Sequence, residues 1–233
     1  MPANRLQNQV ESLSRYDVAG QDGAVPLCVR HVGLASNDGS DVRKGDDVAV
    51  HHMGPPLERD ATISVDVVGT AALTVDNVND IKTYVDEHLG ERGSQKRLQK
   101  IDPRRTYVIR PHSKPLEGKN GTTVCMRFSC AGFVLEAYRI AGIILLDTDE
   151  ESLPPVKRSA LEKIYPELSE SWFAEWNREY EWGLDENEGN EEGGERSWPV
   201  VLPGYVFHAL KRRVTEIRNE PYKPQLGDEV FPR

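Results

Sequence analysis

The segment from Phe128 to Gly142 constrains this chain more than any other part of it. Cys130, Val134, Ala137, Tyr138 and Ala141 recur at helical spacing, so a helix starting at Cys130 presents one continuous apolar face that must be buried. Ser129 is a natural N-cap for that helix, and Gly142 is a natural stop. A cysteine in the first helical turn is thereby fixed against whatever the helix packs on.

The N-terminal half supplies the packing partner. Residues 27–35 and 47–52 read as two strands of an antiparallel hairpin with a long polar connection, which carries Asn37-Asp38-Gly39-Ser40 and Lys44-Gly45-Asp46. A third strand is expected over 61–68, after the break at Pro55-Pro56. From Val75 the pattern changes: Ile81, Tyr84, Val85, His88 and Leu89 mark an amphipathic helix within 75–100. Residues 106–110 read as a short strand and 111–122 as a polar loop. After Pro154-Pro155, helical stretches are expected over 156–164 and 167–182, then an acidic Gly-rich loop over 185–195 and an extended tail over 221–233. The fold class read from this order is α+β: an antiparallel sheet with the Cys130 helix packed on it. Residues 1–150 form the core, and 151–233 a helical extension.

Composition narrows the function classes. The formal net charge of -9 disfavours a nucleic-acid or anionic-membrane surface, which needs clustered Lys and Arg. The basic stretch Arg92, Lys96, Arg97, Lys100, Arg104, Arg105 reads as a solvated face broken by Pro103. No apolar run approaches membrane-spanning length, and residues 1–15 lack a signal-peptide core, so no integral membrane segment and a cytoplasmic location are expected. Three cysteines without regular spacing fit a reducing compartment better than a disulfide framework. Cys125 and Cys130 with His31 or His51 lack the close ligand spacing of structural zinc sites, so neither metal nor cofactor is expected.

A thiol at a helix N-terminus sits at the positive end of the helix dipole beside unpaired amides, which lower its pKa and can stabilise an oxyanion. Such a nucleophile needs a histidine, and the histidine needs an orienting group. The hairpin offers both. His31 lies in the first strand, and His52 ends the second. By alternation His52 shares a face with Val48 and Val50, whereas His51 shares one with Ala49. His208 follows Cys130 in an expected helix and reads as structural; His112, in the loop before Cys130, reads as solvated.

Two motifs resemble the papain-like NlpC superfamily of thiol hydrolases and acyltransferases. Phe128-Ser129-Cys130-Ala131-Gly132-Phe133-Val134 is similar to the catalytic-cysteine helix of those enzymes, with Ser129 where an aspartate is common. His31-Val32-Gly33-Leu34 is similar to their histidine strand. Here the histidine precedes the cysteine, which is the order of the circularly permuted, lecithin:retinol acyltransferase-like branch. His52-Met53-Gly54-Pro55-Pro56 resembles the second-histidine segment of that branch. The resemblance implies a permuted papain-like fold with Cys130 as nucleophile, His31 as general base and His52 as orienting member. It implies attack on an amide or ester of a small-molecule, peptide or lipid acyl substrate. The competing expectation is a papain-like binding or scaffold protein without catalysis.

Overall fold

Why the two halves of the chain meet is clearest at strand β4 (Val29–Ala35), whose alternating side chains enter two different cores. A computed structural model describes residues 3–6, 10–23, 28–54, 57–90, 106–165, 183–184, 190–192 and 195–229. Within them β4 is central in a six-stranded antiparallel sheet, ordered β1 (Asn4–Arg5), β8 (Val67–Gly69), β3 (Val18–Asp22), β4, β6 (Asp47–Met53), β7 (Leu57–Ser64). The registers Val18 with Leu34 and Ala19 with Gly33 separate the faces. Val18, Val32, Leu34 and Val67 enter the larger core, shared with the helices; Ala19, Ala35, Val48, Val50 and Val68 enter a second one. The second core is closed by Leu13 and Val42, from the two-stranded pairing of β2 (Glu11–Leu13) with β5 (Ser40–Val42).

On the larger core lie α1 (Val75–Leu89), α2 (Cys130–Ile140) and the helix Pro203–Lys211. Their apolar faces bury Ile81, Tyr84 and Val85, then Phe133, Val134, Ala137 and Tyr138, then Val206, Phe207 and Leu210. Each such large side chain contributes roughly 1.5–3 kcal/mol on burial. The approach is close. A Cβ on Gly20, opposite Val32, would stand 2.6 Å from the Phe207 ring, so a glycine is what lets that helix lie on the sheet. The Tyr138 hydroxyl donates to the Tyr16 carbonyl at 3.0 Å and pins α2 to the strand side of the core.

Several sequence expectations change. The strand expected over 61–68 is two strands, parted at Val65-Asp66, where Val65 N–H donates to the Asp46 carbonyl and Asp66 N–H to the Gly20 carbonyl. Residues 106–110 form no strand; only Tyr107 bridges Phe128. The expected loop over 111–122 instead holds β9 (Ser113–Glu117), paired with β10 (Thr123–Phe128) around a turn at Gly121, φ +69°. β9, Ser-Lys-Pro-Leu-Glu with only Leu116 buried, carries little apolar periodicity, which is why it reads as loop. The first extension helix begins at Arg158 and runs to Ile164 (α3), after β11 (Pro155–Lys157). Part of the acidic segment, Asn190–Glu192 (β12), pairs with β13 (Glu195–Pro199), which in turn pairs with β11. The second extension helix, over 167–182, lies outside the described residues, as do 91–105. Val156, Leu161, Ile164 and Trp198 share one core with α2, so the extension is packed into the same body as the sheet. Among the described residues no helix is long and apolar enough to cross a membrane.

Candidate active site

Cys130 opens α2 as expected. Ser129, φ -79° and ψ 168°, caps it by accepting from Gly132 N–H at 2.9 Å. A second constraint comes from Gly132, where a Cβ would stand 1.9 Å from the His112 carbonyl oxygen; His112 O also accepts from Ser129 N–H at 2.9 Å. Loop and helix start are thus locked together, and the thiol with them.

The sulfur rests where two strands part. The last pair of the β4–β6 ladder is Gly33 with His52. One residue further on, the amide of Val32 faces the Cys130 sulfur, as does the amide of Ala131. The side chains of His31 and His52 span the same two strands at this point. Their rings meet edge-on, 4.6 Å between centroids and 88° between planes, with His31 Nε2 hydrogen bonded to His52 Nδ1. A Cβ on Gly33 would touch Val50 and His52, and one on Gly54 would touch the His52 ring. The imidazole pair therefore lies on the face of β4 that carries Gly33, while Val32 enters the helix-side core with Cys130. Among the described residues no hydrogen bond joins either imidazole to the thiol.

The pair ends in a carboxylate. His52 Nε2 lies 3.4 Å from Glu58 Oε2. With Glu58 ionised, His52 donates from Nε2 and must accept at Nδ1; His31 then donates from Nε2, which leaves its Nδ1 with a lone pair. The network so assigned gives His31 the tautomer of a proton acceptor. Burial, then the neighbouring His52 and Arg30, push the His31 pKa down to about 3, so the ring is neutral at physiological pH. His52 is pushed down by burial against the opposing pull of Glu58.

The thiol departs from expectation. In place of a depressed pKa, burial pushes Cys130 up to about 11, with the amides of Val32 and Ala131 and the Tyr165 hydroxyl pulling the other way. Cys130 is 1 % exposed, and desolvation of its thiolate outweighs the amides that face it. At rest the thiol and the His31 imidazole are both neutral, and they lie on opposite faces of β4.

Two members of the cluster were not singled out in the sequence. Glu58 stands opposite His52 in the pairing of β6 with β7. Tyr165, the residue after α3, comes from far along the chain with no motif to mark it. His51 points into the helix side, 4 % exposed, between Tyr16 and Asp60, and His52 keeps the side of Val50. His208 stacks on Tyr222 and sits 3.4 Å from Asp228. His112 Nε2 lies 3.6 Å from Glu136, partly buried rather than solvated. Among the described residues no cluster of three or more His, Cys, Asp or Glu could hold a metal ion.

Compared with protein-family models, with curated proteins and with solved structures, the chain matches none. The class its fold and site define is a mixed α+β protein with a buried thiol at a helix N-terminus and an imidazole pair on the adjoining strands.

Proposed function

We propose that this protein is a thiol-dependent hydrolase or acyltransferase acting on an amide or ester bond through an acyl enzyme on Cys130, in a permuted papain-like fold. The observation that carries the reading is the parting of β4 and β6. The sulfur faces the Val32 amide there, and the His31–His52–Glu58 chain bridges the same strands with His31 Nδ1 left as an acceptor. His31 takes the thiol proton as the sulfur attacks a carbonyl carbon, and returns it to the leaving alcohol or amine. His52 holds the His31 tautomer, and Glu58 holds that of His52. Water or a second acyl acceptor then releases the acyl group.

Because thiol and imidazole are both neutral at rest, proton transfer accompanies attack rather than preceding it. Incubation with p-nitrophenyl acetate tests the reading: nitrophenol release with an acetyl group on Cys130, seen by peptide mass spectrometry, and loss of both in Cys130→Ala. A second reading, a binding or scaffold protein without catalysis, is favoured by the burial of the sulfur and the lack of a hydrogen bond from it to either imidazole. Absence of any acetylation of folded parent protein would select that reading.

A further inference from the structure

Where β6 and β7 slip register between Val50 and His52, Arg59 and Asp60 together stand opposite His51. Such a bulge re-aims the side chains beside it, and Asp60 absorbs it with a left-handed backbone, φ +55°. In the turn from β2 into β3, Tyr16 has φ +64°, a conformation that a bulky residue keeps only where its surroundings hold it. These two strained residues and α1 enclose a cleft of about 320 Å³, whose lining includes Arg15, His51, Arg59 and Lys82. That is room for a small organic molecule. The Arg59 side chain is only 11 % exposed. Its Nη2 donates to Asp86 Oδ1 at 2.6 Å, to the Gly90 carbonyl at 2.8 Å and to the Val85 carbonyl at 3.4 Å. Its Nε is buried without a partner, and its Nη1 makes no hydrogen bond among the described residues. A guanidinium has five N–H donors, and leaving buried ones without acceptors destabilises a fold.

Two further cations reach the cleft with donors to spare. Arg15 Nε donates to the Ser36 carbonyl at 3.2 Å, and its guanidinium lies 5.9 Å from the centre of the Tyr16 ring; its ion pair with exposed Asp38 is stretched to 4.0 Å. Lys82 Nζ donates to Asp86 at 2.6 Å and keeps its other protons. Lys82, then Arg59, hold the Asp86 carboxyl below its usual range, so Asp86 is ionised and taken up by both. His51 accepts at Nδ1 from Asp60 N–H at 3.4 Å, so that nitrogen carries no proton. Arg15, Arg59 and Lys82 thus face Asp60 and Asp86, an excess of one positive charge within a chain of net charge -9. We propose that this cleft binds a small organic acid, its carboxylate held by Arg59, Arg15 and Lys82 and its apolar part against the Tyr16 ring. One excess charge matches a monoanion, and Asp60 opposes a second negative charge, as on a phosphate dianion. Arginine and lysine supply the charge-assisted donors that a carboxylate takes. The site needs nothing from the chemistry of Cys130.

Benzoate is the probe, with benzyl alcohol as its uncharged analogue and inorganic phosphate as the rival anion. Each is titrated into the ¹⁵N-labelled full chain at constant ionic strength and followed by amide shifts. Benzoate should shift the amides of Arg15, Ser36, His51, Arg59 and Asp60 saturably, and benzyl alcohol should not. Arg15→Gln and Lys82→Gln, at side chains 37 % and 58 % exposed, should keep the fold and each weaken benzoate on the order of tenfold, as for loss of one charged hydrogen bond. Arg59→Gln should abolish saturation; because it also strips the Gly90 and Val85 carbonyls of their donor, the other two variants decide the matter should it unfold. Shifts that do not saturate, equal shifts with benzyl alcohol, or parent affinity in either Arg15→Gln or Lys82→Gln overturn the proposal. Tighter saturation of the same amides by phosphate overturns it too, and assigns the cleft to phosphate esters.

Discussion

Acid should unfold this protein through His31, and the amount can be worked from its burial. In the folded chain its pKa is about 3, against 6.5 for a free imidazole. Between those values the unfolded chain binds a proton that the folded chain does not, so stability falls as pH falls. The contribution is fully present above about pH 6.5 and is lost progressively toward pH 3. At about 1.4 kcal/mol per pH unit the whole window is worth up to about 5 kcal/mol. Between pH 7 and pH 5 the loss is about 2 kcal/mol. Buried carboxyls complicate the raw curve, because burial raises the pKa of Asp17 and of Asp22 and their contribution runs the other way. A difference measurement cancels them. His31→Gln cannot titrate, yet its amide can still donate to His52 Nδ1. Urea unfolding of parent and variant at pH 7 and pH 5 should show the parent losing about 2 kcal/mol more than the variant. Equal losses, or a His31 ring titrating near pH 6.5 by NMR in the folded parent, would refute the reasoning.

Other expectations follow from the same geometry. Ser129→Ala removes the acceptor for Gly132 N–H and should lower stability by about 1 kcal/mol in denaturant unfolding. Gly132→Ala drives a methyl into the His112 carbonyl and should cost about 3 kcal/mol or more, or abolish folding, read by the same assay. His51→Ala should cost about 1–3 kcal/mol of stability, since the ring is buried against Tyr16, yet leave acetylation of Cys130 near parent rate. Glu58→Gln should slow acetylation by roughly tenfold with little change in stability, because the carboxylate that fixes the His52 tautomer is half exposed. If His51→Ala slowed acetylation while His52→Ala did not, the assignment of the orienting ring would have to move by one residue.

Local chemistry was enough to place α2, its Ser129 cap and the strands carrying His31 and His52, because apolar period and capping act within a few residues. Alternation also put His51 and His52 on opposite faces. It could not say that both faces are buried, because that depends on β2 and β5 closing a second core behind the sheet. Strand β9 is illegible in the sequence for the same reason in reverse: four of its five residues are at least partly solvated, so its pairing with β10 leaves no apolar signature. For the thiol the two levels gave opposite signs. A cysteine at a helix N-terminus reads as acidic from sequence, since dipole and amides are local. Its desolvation is set by everything packed over it, Tyr165 included, and burial wins. That residue meets Cys130 from 35 positions further along the chain. No periodicity or spacing joins them, and only the tertiary structure brings the two side chains into one core.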